Sequence, residues 1–181
     1  AQMTKLDTTR GSLCANLRIY MDHLDSSSDK VSASANLLTK MFAYDEVIVS
    51  SSMIQCVSVL SRLDSTVLDL ANTDISALTR ESVVSIMSDF VQSALYSSAS
   101  AELESLVAHL GDNILNGMVQ GQDSVDLVSD NLRLSYRYEL LSLLSGTSVS
   151  VPQSAEEAHY GSPVATVDLP AAGLDSCANF E

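Results

Sequence analysis

"SDNLRLSYRYELLSLLSGTSVSVP", residues 129–152, is the stretch on which the fold turns. Within it Leu132, Leu134, Tyr136 and Tyr138 alternate with polar neighbours. That is the period of a half-buried strand, because successive strand side chains leave opposite faces. Val125 and Leu127 lead into the same pattern. "GTSVSVP" reads as a second short strand, stopped by Pro152, which has no N–H to give a ladder. After the polar loop "QSAEEAHYG", "SPVATVDLP" reads as a third, carrying Val164, Thr166 or Val167, and Leu169 between two prolines. Three short strands do not make a stable sheet alone, so they must pack on other elements or pair with strands from elsewhere.

Upstream the period is helical. Over residues 46–63, Val49, Met53, Cys56, Val57, Leu60 and Leu63 recur at three and four, leaving Ser50, Ser51, Ser58 and Ser61 off that face. Over 79–97, Val83, Met87, Phe90, Val91 and Ala94 do the same, with Thr79 as the expected N-cap and Glu81 in the first turn. Over 99–118 the apolar set is Leu103, Leu106, Val107, Leu110, Ile114 and Met118, with Gly117 and Gly121 as expected left-handed caps. Residues 13–24 and 31–42 are shorter helical candidates separated by "DSSSDK". The fold class is therefore α+β, mainly α. A small helical bundle (1–121) precedes a short β subdomain (122–174), a partial sandwich of a few antiparallel strands, and a tail (175–181). The 31 serines sit on periodic helices with only three prolines, which excludes a mucin-like stalk and predicts solvated helix faces.

Asp and Glu total 23 against 9 Lys and Arg, a net charge of −14. Such a field repels phosphate backbones and anionic membrane surfaces, so nucleic acid is excluded as a partner. No Lys or Arg follows Arg137, so a basic partner feels the C-terminal part most. No apolar run is long enough to span a membrane. The chain opens at Ala1 rather than Met, as a processed or excised segment does.

Cys14, Cys56 and Cys177 lack any zinc-ligand spacing. Cys14 and Cys56 lie in apolar stretches and read as buried, inert thiols. Cys177, in the polar "LDSCANFE", is the one placed to form a disulfide with a partner cysteine.

Catalytic signatures are missing. No G-x-S-x-G presents a serine, and His23, His109 and His159 are the only candidate bases. His23 stands between Asp22 and Asp25 at a polar helix end, His109 falls off its helix's apolar face towards solvent, and His159 sits in a polar loop. Asp123, Asp126 and Asp130 offer oxygens of the kind calcium prefers, but without EF-hand spacing, and a solvated acidic surface accounts for them. "GDNILNGMVQG" has glycines but no Lys-Ser/Thr and no preceding strand, so it is no phosphate loop. No cofactor or metal is expected.

Together, the Ser- and Leu-rich helices, "GDNILNGMVQGQDSVDLVSDNLRLSYRYELLSLLSGTSVSVP" and "GSPVATVDLP" resemble the GAIN (G-protein-coupled receptor autoproteolysis-inducing) domain of polycystin-type and adhesion-receptor-type ectodomains. The resemblance spans residues 31–174. It rests on Ser129, Asp130, Asn131, Leu132 and Leu134, and on Gly161, Ser162, Val164 and Pro170. It implies a helical subdomain leading into a β-sandwich. The family's self-cleaving His-Leu-Ser/Thr site and its flanking Cys and Trp have no counterpart here, so no cleavage residue carries over.

The expected function is a non-enzymatic, extracellular or cell-surface structural module that assembles with other protein chains, the rest of a larger precursor among them. Partner strands would add to the edges at Leu132, Leu134, Tyr136 and Tyr138 or at Val164, Val167 and Leu169. The alternative is an acidic helical subunit of an intracellular or organelle complex.

Overall fold

The computed structural model describes residues 2–23, 27–42, 54–70, 75–92, 96–144 and 146–169. Five long helices, α1 (Gln2–Asp22), α2 (Ser28–Phe42), α3 (Ile54–Asp69), α4 (Ala77–Gln92) and α5 (Tyr96–Asn116), make the body. Their cross-contacts give their directions. Cys14 meets Cys56 and Asp22 meets Arg62, while Asp64 meets His109 and the Leu70 carbonyl meets Asn113, so α1, α3 and α5 run the same way. Ser28 meets Thr79 and Ser32 meets Ser82, so α2 and α4 are likewise parallel to each other. Neighbour contacts run α1 to α3, α3 to α5, α5 to α4, α4 to α2 and α2 back to α1, a closed ring.

The apolar positions at three and four fill that ring. Leu38, Leu60, Leu63, Ile86, Met87, Phe90, Leu106, Leu110 and Ile114 are fully buried, and Phe42 stacks at a tilt on Phe90 with ring centroids 4.6 Å apart. The chain is mainly helical with a few short antiparallel strands, as its periods predict.

Several local expectations are corrected. The 13–24 period belongs to the longer helix α1, in which Cys14, Leu17 and Met21 are buried, while Leu24 lies outside the described residues. The expected helix over 46–63 is described from Ile54 and continues to Asp69, where Val67 is buried, while residues 46–53 lie outside the described residues. Ser76, not Thr79, caps α4: its Oγ accepts from the Thr79 N–H at 3.3 Å. Thr79 is itself buried, its hydroxyl 2.9 Å from those of Ser76 and Ser28, and Glu81 lies beyond the first turn.

Nor are the serines only a solvated face. Ser34, Ser82 and Ser88 are buried, and across the α2–α4 seam the hydroxyls of Ser28 and Thr79 and of Ser32 and Ser82 satisfy one another while letting the helices approach. Gly121 is left-handed (φ 78°), but well past α5, and its N–H donates to the Tyr138 carbonyl at 3.0 Å. Gly117 is not left-handed, so neither glycine is the expected cap.

Residues 125–138 form two strands rather than one. β1 (Val125–Val128) and β2 (Arg133–Tyr136) pair antiparallel, Val125 opposite Tyr136 and Leu127 opposite Leu134. The turn between them closes with the Ser129 N–H donating to the Leu132 carbonyl at 2.9 Å. One face of the hairpin is apolar and lies on α4 and α5: Leu127 is buried, and Val125, Leu132, Leu134 and Tyr136 pack against the core. The other face carries Asp126 and Ser135, directly opposite and hydrogen-bonded at 2.7 Å.

A short turn of helix, α6 (Leu141–Leu144), leads to β3 (Ser148–Ser150), α7 (Ala155–His159) and β4 (Thr166–Asp168). The expected polar loop therefore holds a helix. Ser154 and Glu157 form a reciprocal capping box that starts α7, a pattern legible as S-x-x-E.

Candidate functional site

β3 and β4 form an antiparallel ribbon separate from the hairpin: Ser148 opposite Asp168, Val149 opposite Val167, Ser150 opposite Thr166. The same ladder continues at both ends, with the Val151 N–H donating to the Ala165 carbonyl at 2.8 Å and the Leu169 N–H to the Thr147 carbonyl at 2.9 Å. In an antiparallel pair, alternate residues turn their N–H and C=O towards the partner strand. Residues 165, 167 and 169 therefore face β3, while Thr166 and Asp168 present their backbone groups along the outer edge of β4.

The side chains divide as sharply. Val149, Val151, Ala165, Val167 and Leu169 share one face, and Ser148, Ser150, Thr166 and Asp168 the other. Among the described residues the apolar face is not part of the bundle's core: Val149, Val151 and Leu169 are half-covered, and none of the five belongs to the core or packs on it. All of β4 is exposed, Val167 at 55%. The link to the body is ionic. Arg133 in β2 donates both to the Ser129 carbonyl and, at 2.9 and 3.0 Å, to the two carboxylate oxygens of Glu157 in α7. The Glu157 carboxyl sits below its ordinary range, held there first by the backbone and hydroxyl of Ser154 and then by Arg133.

The residues expected to carry interaction fall into two sets. Leu132, Leu134 and Tyr136 are half-buried on the helices, Tyr136 with its hydroxyl 3.3 Å from the Val107 carbonyl and its ionisation pushed up to about 12 by burial. Tyr138, Val164 and Val167 are about half exposed, and Leu169 is partly covered. Cys177 and Pro170 lie outside the described residues. Val149 and Val151 complete the ribbon's apolar face; the alternation in "GTSVSVP" encodes them, although the strand alone does not say that the face lies outside the core. Leu132 also walls an apolar cleft of about 270 Å³ with Met87, Val91, Leu103 and Val107, with Ser100 and Glu104 also lining it.

Among the described residues the other polar groups pair with one another. His109 is not solvent-facing as expected: its Nδ1 lies 2.7 Å from Asp64 Oδ1, while Ser105 donates to Asp64 Oδ2 at 2.7 Å. The carboxylate stands between the other two, so the histidine cannot take the serine's proton. Asp22 pairs with Arg62 at 2.9 Å and joins α1 to α3. Asp126 bonds Ser135, and Asp130 lies in the hairpin turn. Among the described residues no three His, Cys, Asp or Glu side chains gather as a metal site, and no helix is long and apolar enough to cross a membrane.

Cys14 and Cys56 are not free thiols. They form a buried disulfide with Cα atoms 4.9 Å apart, because parallel α1 and α3 bring them to the same height. Comparison with protein-family models, curated proteins and solved structures finds no match to this chain.

Proposed function

We propose that the chain is a non-enzymatic assembly module of the cell surface or extracellular space, and that its β3–β4 ribbon is completed by a strand from a protein partner. One observation carries this: among the described residues, a two-stranded ribbon with an apolar face outside the bundle's core and an outer edge that no strand pairs. Isolated two-stranded sheets are marginal in water, and an added strand supplies both backbone pairing and cover. The Cys14–Cys56 disulfide supports an oxidising compartment, where such bonds persist. On the GAIN resemblance, the completing strand comes from the remainder of a longer precursor. The ribbon is favoured over the 132–138 edge because the hairpin's apolar face is already seated on the helices.

Amide hydrogen exchange on the isolated chain tests this. The Thr166 and Asp168 amides are expected to exchange near the unprotected rate while Leu106 and Leu110 in the core stay protected. Equal protection at both places would mean that the edge needs no partner.

A further inference from the structure

We infer that the partner strand is basic as well as apolar, alternating Lys or Arg with aliphatic residues, and that it docks on the outer edge of β4; this rests on the strand-completion function proposed above. The backbone groups of Thr166 and Asp168 face that edge, so a docked strand takes its hydrogen bonds there and its side chains continue the two faces of the ribbon. On the face shared with Val149 and Val167 the fitting residues are aliphatic. On the other face the docked strand meets Thr166 and Asp168.

The charge on that face is the Asp168 carboxylate, and among the described residues no ion pair joins it to a cation. From residue 138 to the end of β4 the charged residues are Glu139, Glu156, Glu157 and Asp168, without a Lys or Arg. Arg133 of β2, the cation that contacts α7, is held by Glu157 and the Ser129 carbonyl. Asp168 accepts a hydrogen bond from the Ser148 hydroxyl, which orients the carboxylate without neutralising it. An opposite charge placed across from it on the incoming strand is attracted, and a like charge repelled.

The test uses the full chain, isotopically labelled, and three short capped peptides: one alternating Lys and Val, one alternating Glu and Val, and one with the Lys–Val composition but the alternation broken. The Lys–Val peptide is expected to protect and shift the Thr166 and Asp168 amides. The Glu–Val peptide should bind about tenfold more weakly. Raising salt to about 1 M, where screening shortens to about 3 Å, should narrow the difference, as should Asp168→Asn. Equal binding of the two alternating peptides overturns the charge inference and leaves strand completion standing. So does failure of the Lys–Val peptide to bind while those amides stay open. Equal binding of the broken-alternation peptide without edge protection shows plain charge attraction and overturns the inference. If no peptide binds and the two amides are already protected in the chain alone, strand completion falls with it.

Discussion

At Gly111 the helical half makes room for the hairpin. A β-carbon built there would sit 2.7 Å from Cε1 of Tyr136, whose ring lies across the helix and whose hydroxyl reaches the Val107 carbonyl. Elsewhere in a helix, alanine is better than glycine by about 1 kcal/mol. Here overpacking of about 1 to 3 kcal/mol opposes that gain, so Gly111→Ala is expected to lower the denaturant midpoint. Placed in a Tyr136→Ala background the same substitution should become neutral or stabilising. A loss of equal size in both backgrounds would mean that the ring is not the cause. This role was hidden in "GDNILNGMVQG": glycine spacing speaks of turns and phosphates, whereas the reason for Gly111 is a ring far along the chain. Thr79 misled for a similar reason, since Ser76 and Thr79 are both good caps and only burial against Ser28 decides between them.

Between elements, the joint that seats the hairpin is polar and strained by charge. The Asn131 backbone N–H donates to Ser88 Oγ at 2.9 Å, and its side-chain amide reaches Ser88 and Gln92 at 3.4 and 3.3 Å. Asp130 and Asp89 flank that contact from the two sides. Asp89 has one carboxylate oxygen buried without a hydrogen bond, with Thr39 of α2 near the group. Burial first, then the Asp130 charge, push Asp89 up to about 6 from an ordinary 3.8. The folded chain therefore holds this proton more tightly than the unfolded chain, so the joint is stabilised when Asp89 is protonated, and that stability is lost as pH rises through about 6. Glu157 works the other way: it favours the folded state when ionised, and that contribution is lost on acidification below its ordinary 4.5. Unfolding midpoints measured from pH 7 to 5 should rise for the natural chain and change less for Asp89→Asn, which should also be the more stable at pH 7. Parallel curves for the two proteins would remove Asp89 from the account. Ser88→Ala should loosen the same joint by about 1 kcal/mol, seen as faster exchange of the Val125–Val128 amides.

For the whole molecule, periodicity made the bundle legible because every long helix buries a stripe at three and four, and it made the later strands legible because "LRLSY" and "SVSV" alternate. What it could not carry was arrangement. The alternation from Val125 to Tyr138 is the same whether the chain runs straight or folds back at Asn131, and that the ribbon's apolar face lies outside the core follows from where β3 and β4 sit, not from their residues. The pairing of Cys14 with Cys56 was hidden likewise, since an apolar neighbourhood suits a buried thiol and a buried disulfide equally. The bridge is where the arrangement has its largest single consequence. It joins residues 42 apart, and closing a loop of that length in the unfolded chain accounts for about 4 kcal/mol in the chain-entropy treatment. Reduction, or Cys14→Ala with Cys56→Ala, is expected to lower stability by about 2 to 4 kcal/mol and to steepen the denaturant slope, because the unbridged chain exposes more surface on unfolding. Alkylation under denaturing conditions without reductant should leave both cysteines unmodified, and after reduction should label both. Labelling of either before reduction, or an unchanged midpoint and slope after it, would contradict a bridge that ties α1 to α3.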